Sequence, residues 1–161
     1  MADEPEALRH SDSIVIARPP EAVYALVSDI TRMGEWSPVC TACWWDEGAT
    51  AADGAWFTGR NETADRTWET RCEVVAAEPG KEFTFVVNGR EEPYTRWSYT
   101  MAPTADGTEL TETWEPQPAV LARFAAIPDG GGPAALQQRV DAAKSGIPAT
   151  LAAIKAAAES S

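Results

Sequence analysis

The stretch of sequence that decides the fold is residues 67–88, TWETRCEVVAAEPGKEFTFVVN. It contains two runs, residues 67–76 and 82–88, on either side of Glu78-Pro79-Gly80. Successive side chains of a strand point to opposite faces, so a short run of alternating apolar and polar residues predicts a half-buried strand. Proline and glycine supply the backbone conformations of a tight reversal. The stretch therefore predicts two neighbouring antiparallel strands.

Similar runs occur on both sides of this pair. They predict further strands at residues 10–17, 39–46, 55–62, 94–101 and 109–115. Turn sequences such as Asp53-Gly54, Asn88-Gly89 and Asp106-Gly107 separate several of them. Short connections join antiparallel neighbours, so we expect seven strands, the last six consecutive and antiparallel.

Three helical segments accompany the strands. Pro19-Pro20 and the apolar residues that follow predict a short amphipathic helix to about Asp29, and residues 31–36 predict a second short helical turn. Apolar residues recur at steps of three and four from Pro133 to about Glu159, which predicts one long helix of roughly 40 Å. The order favours an α+β fold in which a curved seven-stranded sheet wraps around the C-terminal helix.

Length, composition and net charge limit the classes of protein to which the chain can belong. The 161 residues, 17.3 kDa, fit one domain, which we place at residues 10–159 after an acidic tail at 1–9. Thirteen basic against 25 acidic residues give a net charge of −12, which argues against nucleic-acid binding. No apolar run approaches the roughly 20 residues of a membrane span, and the N-terminal sequence lacks the pattern of a signal peptide. Three cysteines suit a reducing compartment, so we expect a cytoplasmic protein.

Several stretches resemble one known family. They are SIVIARPPEAVYALVSDITRMGEWSP (13–38), TRCEVVAAEPGKEFTFVV (70–87), GTELTETWE (107–115) and TLAAIKAAAE (150–159). These stretches resemble the START-like helix-grip (SRPBCC) superfamily, most of all its bacterial polyketide cyclase/dehydrase branch. The resemblance covers roughly residues 12–159. It implies a deep cavity between the sheet and the C-terminal helix that holds an apolar or polyaromatic molecule, with neither metal nor organic cofactor.

Alternation indicates which side chains would face such a cavity. The predicted ligand-binding residues on the strands are Phe57, Gly59, Asn61, Trp68, Thr70, Cys72, Phe83, Phe85, Trp97 and Tyr99. Helical segments and a predicted flap or short helix at residues 117–132 add Trp36, Leu121, Phe124, Leu136, Val140 and Ile147. The alternative is that these aromatic residues simply fill the interior.

The facing of two strands stays open. In residues 55–62 either Phe57, Gly59 and Asn61 face inward or Trp56, Thr58 and Arg60 do; we prefer the first, because Gly59 makes room and Asn61 offers an amide. In the last strand, Glu112 faces inward with Leu110 and Trp114, or outward with Thr111 and Thr113 inward. Burial statistics of glutamate favour the outward placement. If Glu112 were buried, its pKa would be raised and it could serve as a general acid or base.

The residues that could carry catalysis are few. Cyclases of the resembled family are thought to use an inward arginine with nearby hydroxyls, but alternation places Cys72 inward and Arg71 outward, which leaves Arg60 as the arginine that could take this role. The candidate catalytic residues are Asn61, Thr70, Tyr99, Glu112 and Arg60. Cys40 and Cys43 form a C-x-x-C pair without a second ligand pair, so we predict no metal site.

Three hypotheses of function follow. The first is binding, transport or sequestration of a lipid, fatty acid or polyketide without a cofactor. The second is a cofactor-free polyketide aromatase, cyclase or dehydratase that polarises carbonyls and transfers protons. The third is a protein whose acidic surface binds a basic protein partner.

Overall fold

The computed structural model describes residues 8–160, and residues 1–7 of the predicted acidic tail lie outside this part of the chain. The strands are β1 (His10–Ile16), β2 (Cys40–Trp45), β3 (Trp56–Glu62), β4 (Thr67–Glu78), β5 (Glu82–Val87), β6 (Thr95–Thr104) and β7 (Gly107–Pro116). The helices of at least four residues in the described part are α1 (Pro20–Val27), α2 (Met33–Trp36), α3 (Pro118–Ala125) and α4 (Gly132–Glu159).

All seven strands form one antiparallel sheet, in the order β1-β7-β6-β5-β4-β3-β2. Irregularities in register between Cys40 and Ala42 in β2 and between Val74 and Ala76 in β4 locally change how the strands pair. Bulges of this kind bend a strand and increase its twist, which helps a sheet to curve. The α+β helix-grip fold is confirmed.

The helix α4 lies against the concave face of the sheet. Its C-terminal half buries Leu151, Ile154 and Ala158 in the core. Pro148 lies within this helix, which the structure shows as continuous from Gly132 to Glu159. Beside the C-terminal half of α4, the space between sheet and helix is therefore filled by buried side chains.

Helix α1 covers part of the same space from the side. Its Val23 and Val27 are buried, and the ring of Tyr24 lies edge-on to Phe83, with ring centroids 6.4 Å apart. This contact places Phe83 in the core beneath α1.

The outer edge of β1 is bonded to side chains near the end of α4. The Lys155 ammonium donates to the Val15 carbonyl at 2.7 Å, and the Ala17 amide donates to the Glu159 carboxylate at 2.9 Å. Lys155 and Glu159 also form an ion pair at 2.7 Å. Backbone groups at the edge of a sheet are otherwise free to pair with another chain.

The opposite edge, β2, is covered by α2. The backbone of Gly34 packs so closely against the carbonyl of Thr41 that there is no room for a Cβ atom. A residue without a side chain is therefore needed for α2 to approach the strand this closely.

Residues 117–132 form α3 and a turn of 3-10 helix at Pro128–Gly130. Of the two predicted alternatives, flap or short helix, the structure contains the short helix. The turn places Asp129 and Gly130 at φ values of 62° and 71°. The next residue but one, Gly132, packs against the carbonyl of Phe124, which folds α3 back onto the first turn of α4.

Candidate functional site

A cavity of about 610 Å³ lies between the concave face of the sheet, α3 and residues 135–150 of α4. Pockets that bind small molecules commonly have volumes of about 300–1,000 Å³ and largely apolar walls. The sheet supplies aromatic side chains to this cavity. They include Phe57, Trp68, Phe85, Trp97, Tyr99 and Trp114. Phe57 and Phe85 lie edge to face, with ring centroids 5.0 Å apart.

The side of α4 that faces the cavity carries mostly small side chains. They are Ala135, Ala142, Ala143 and Gly146. Because these residues extend little beyond the helix backbone, they leave space between helix and sheet. Ile147 and Thr150 close the end of the cavity that adjoins the core.

The structure places most of the sequence-predicted binding residues in the cavity wall. These are Phe57, Gly59, Asn61, Trp68, Thr70, Cys72, Phe85, Trp97, Tyr99, Phe124 and Ile147. Of the two alternatives for residues 55–62, the structure has Phe57, Gly59 and Asn61 facing the cavity. Which of these residues contact a ligand remains a prediction.

Two predicted sheet and helix residues lie elsewhere. Phe83 belongs to the core under Tyr24, because α1 covers that end of the sheet. Trp36 is buried in the core, with the Arg32 guanidinium 5.3 Å from its ring, and does not line the cavity.

Three predicted residues of the helical segments are also outside the wall. Leu121 is half-buried on α3, where Val120, Phe124 and other residues of the segment line the cavity instead. Leu136 and Val140 are half-buried on α4. The cavity lies on the side of α4 that carries alanine and glycine, so these larger residues point away from it.

Of the two charged candidates, Arg60 lies outside the cavity, as the preferred facing of residues 55–62 predicts, and Glu112 lies inside it. Arg60 is exposed on the outer face and lies 3.7 Å from the Glu62 carboxylate. Glu112 lines the cavity and is 5% exposed, so its predicted outward placement was wrong. The register pairs Glu112 with Tyr99 across β6 and β7, and both residues share the concave face with Leu110 and Trp114.

Glu112 and Tyr99 form a hydrogen-bonded pair in this wall. The Tyr99 hydroxyl donates to the Glu112 carboxylate, while the carboxylate atom Oε1 is buried without a partner among the described residues. Burial raises the pKa of Glu112 to about 8, although the bond from Tyr99 lowers it. Burial and the charge of Glu112 raise the pKa of Tyr99 well above its usual value. At neutral pH the pair can therefore hold a proton on Glu112.

A second polar group lies on β3 and β4. The amide of Asn61 donates to the Thr70 hydroxyl at 3.2 Å, and both side chains line the cavity. Such a group can bind a carbonyl or hydroxyl of a ligand.

Three free thiols also line the cavity. The Sγ atoms of Cys40 and Cys43 are 3.1 Å apart, and their hydrogen bond lowers the pKa of Cys40 and raises that of Cys43. Cys72 is separate, and burial raises its pKa to about 12. A Cβ atom on Gly59 would lie 3.3 Å from the Cys43 Sγ, so this glycine leaves room for the thiols. Among residues 8–160, no group of three or more His, Cys, Asp and Glu side chains could hold a metal ion.

The cavity reaches the surface at an opening that we call the mouth, lined by Arg66, Arg123, Ile127 and Arg139, all of them exposed. Arg66 comes from the β3–β4 turn, Arg123 from α3 and Arg139 from α4. Aromatic rings of the cavity wall support the three guanidinium groups. The mouth thus combines positive charge with apolar surface.

Comparison with protein families shows to which family the chain belongs. A family model described as "Polyketide cyclase / dehydrase and lipid transport" matches residues 8–159. The chain belongs to this family. The sequence resembles the bacterial polyketide cyclase/dehydrase branch of the START-like superfamily, and this family match confirms the resemblance. No curated protein matches the sequence.

Solved structures show the same fold. A polyketide cyclase-like protein of Corynebacterium glutamicum is 49% identical, with 94% of this chain and 91% of that chain covered and a TM-score of 0.71. The ZhuI aromatase/cyclase of Streptomyces sp. R1128 is 15% identical, with 94% and 93% covered and a TM-score of 0.70. The two-domain aromatase/cyclase StfQ of the steffimycin biosynthetic pathway is 18% identical, and this chain covers 51% of it with a TM-score of 0.70. In the described residues no helix has the length and hydropathy to cross a bilayer.

Sequence reasoning missed the arginines of the mouth and the small residues of α4. Arg66 lies in a turn, and Arg139 follows two glutamines on α4. Neither arginine is therefore part of a periodic pattern of apolar residues. The signal that could have found the alanines is their spacing, since Ala135, Ala142, Ala143 and Gly146 recur on one side of α4.

Proposed function

We propose that this protein binds a hydrophobic small molecule, such as a lipid, a fatty acid or a polyketide, for transport or sequestration in the cytoplasm. The observation that carries the proposal is the cavity of about 610 Å³ with aromatic walls on the sheet and small residues on α4. Protein interiors are normally close-packed, with few voids larger than a water molecule. A space of this size is therefore a feature that a purely structural core does not need. The family's description, which includes lipid transport, agrees with this function.

In this proposal the ligand's apolar body contacts the aromatic residues of the sheet and the Phe124 side chain of α3. Asn61 and Thr70 bind a polar group of the ligand, because their amide and hydroxyl lie together in the wall. Binding needs no cofactor, since burial of apolar surface supplies the free energy.

Native mass spectrometry of the purified protein, before and after extraction with organic solvent, tests the proposal. We expect a discrete additional mass that extraction removes. The extracted protein should then regain thermal stability when dodecanoate or a polyaromatic probe is added, because a ligand that binds only the folded state stabilises it. An unliganded mass together with no thermal shift for either probe would contradict the proposal.

A second candidate function is suggested by Glu112 and Tyr99. A carboxyl that stays protonated at neutral pH and has a free oxygen in an apolar cavity can polarise a carbonyl or transfer a proton, as an aromatase, cyclase or dehydratase would require. The inward arginine associated with such cyclases has no counterpart at position 72, which is cysteine, and Arg71 is bound to Asp46 on the outer face. Binding is therefore the function that the geometry supports best.

Product analysis with a poly-β-ketone substrate separates the two functions. An enzyme would change the distribution of cyclised products, and Glu112→Gln would abolish that change while ligand binding persists. Glu109→Gln, on the opposite face of β7 and exposed, is the matched control. The same products with and without the protein would exclude the enzymatic candidate for that substrate.

A further inference from the structure

The mouth of the cavity carries positive charge in an otherwise strongly acidic protein. The sequence has 25 acidic and 13 basic residues. Six other arginines lie within ion-pair distance of a carboxylate: Arg9, Arg32, Arg60, Arg71, Arg90 and Arg96. Within residues 8–160, Arg66, Arg123 and Arg139 have no such carboxylate partner.

Aromatic rings hold these guanidinium groups in place. The Arg66 guanidinium lies 4.1 Å from the centroid of the Trp68 ring, and that of Arg139 lies 5.5 Å from the same ring. Arg123 lies 5.1 Å from the Tyr94 ring and donates to the Tyr94 hydroxyl at 3.0 Å. A guanidinium has five N–H donors, and stacking on a ring does not use them. The donors at the mouth are therefore largely available for an anion.

Electrostatic repulsion between arginines of the mouth also favours the binding of an anion there. The pKa of Arg139 is lowered by the packing around its guanidinium and by the charge of Arg66. Two like charges beside one ring repel each other, and an anion bound between them would turn this repulsion into attraction. The sequence has many carboxylates, yet in the described part of the chain none lies within ion-pair distance of Arg66, Arg123 or Arg139.

We propose that Arg66, Arg123 and Arg139 bind the anionic head group of an amphipathic ligand whose apolar body lies in the cavity. The inference rests on the proposed binding function and specifies the ligand class: a long apolar chain or ring system that ends in a carboxylate or a phosphate. Arginine suits both groups because its N–H fork matches their oxygen atoms.

The position of Glu112 sets the direction in which such a ligand enters. Glu112 lies buried in the wall, whereas the arginines are exposed at the surface. An anionic group next to Glu112 would be buried beside Tyr99 and Trp114, and burying a charge without a cationic partner is costly. The head group therefore remains at the mouth, and the apolar end enters first.

Isothermal titration calorimetry with matched twelve-carbon probes tests this proposal. The probes are dodecanoate, dodecyl phosphate and the uncharged dodecan-1-ol, each added to extracted protein. We expect at least one anion to bind about tenfold or more tightly than the alcohol at low salt, with a preference that shrinks at high salt because ions screen exposed charges.

Substitutions of the mouth arginines test whether these residues cause the preference for anionic probes. The double variant Arg66→Gln, Arg139→Gln and the single variant Arg123→Gln should each reduce the affinity for the anion and leave that for dodecan-1-ol nearly unchanged. The control variant, Arg9→Gln combined with Arg60→Gln, removes two positive charges, as the mouth double variant does, at exposed positions away from the cavity. It should retain the preference for the anionic probe. A preference for dodecyl phosphate over dodecanoate would assign the head group to the phosphate class, and the reverse to fatty acids.

Two results would overturn the inference. One is equal affinity of the native protein for the alcohol and both anions, which leaves the binding function intact. The other is a preference that the mouth variants keep, or that the control variant loses equally. If no probe of any charge binds, the proposed function itself fails together with this inference.

Discussion

Glu112 has a charge state that responds to pH within the neutral range. Its pKa is raised to about 8 because the side chain is buried, so the folded protein retains a proton that the unfolded chain releases at about pH 4.5. Between these two values the folded state binds more protons than the unfolded state. Stability attributable to this group is therefore fully present below about pH 4.5 and is lost as the pH rises towards 8.

Glu112→Gln should remove this pH dependence. In the native protein we expect the free energy of unfolding to fall by at most about 1.4 kcal/mol per pH unit between about pH 5 and pH 8 from this residue alone. The amide cannot ionise, so the variant should become more stable relative to the native protein as the pH rises. Urea unfolding at several pH values measures the difference.

The control for this experiment is Glu109→Gln on the exposed face of the same strand. This variant should follow the pH dependence of the native protein. If the free energy of unfolding changed with pH equally in the native protein and in Glu112→Gln, the prediction would be wrong. Glu112 would then ionise in the folded state as it does in the unfolded chain.

At the level of elements, the small side chains of α4 account for the space beneath the helix. Ala143 is buried and faces the cavity, whereas Ala152 is exposed further along the same helix. Ala143→Leu would add three carbon atoms to the cavity, and we expect it to weaken binding of dodecanoate by about tenfold or more while the protein stays folded. Fluorescence titration of the cavity tryptophans measures the affinity.

Ala152→Leu makes the same chemical change outside the cavity and should bind dodecanoate like the native protein. Circular dichroism and thermal unfolding confirm that both variants fold. Unchanged affinity in Ala143→Leu would mean that the ligand does not occupy the space beneath α4.

The sequence was sufficient to predict the elements of this fold, because alternation and helical periodicity are local signals. The residues that were misplaced depend on contacts between distant segments. Phe83 continues an apolar face of β5, but α1, which is far away in sequence, covers it through Tyr24. Glu112 is buried by the register of β7 against β6, which outweighs the usual exposure of glutamate.

The cavity side of α4 was missed for a different reason. Periodicity analysis gives weight to large apolar residues and so selected Leu136 and Val140. A binding cavity requires empty space, which residues such as Ala142 and Gly146 provide. Large apolar residues identify the side of a helix that packs, and only the arrangement of the whole sheet shows where packing stops.

At the level of the whole molecule, the chain protects the edge of β1 with its own charged side chains. In the double variant Lys155→Ala, Glu159→Ala the Val15 carbonyl and the Ala17 amide lose these partners. We expect self-association that grows with protein concentration, because an open strand edge can pair with another chain. Sedimentation velocity over a range of concentrations measures it.

Lys144→Ala combined with Glu91→Ala, in the β5–β6 turn, removes the same two kinds of charge at exposed positions away from that edge. This control should sediment like the native protein. A double variant that sediments as the native protein does at every concentration would show that these side chains do not protect the edge.

The two covered edges also restrict how this molecule meets others. Lys155 and Glu159 occupy part of one edge, and α2 covers the other, where Gly34 packs against Thr41. A peptide or a second copy can extend the sheet there only after these contacts are broken. Contact with other molecules is thereby directed to side-chain surfaces, where recognition rests on shape and charge rather than on the continuous backbone pairing of a fibril.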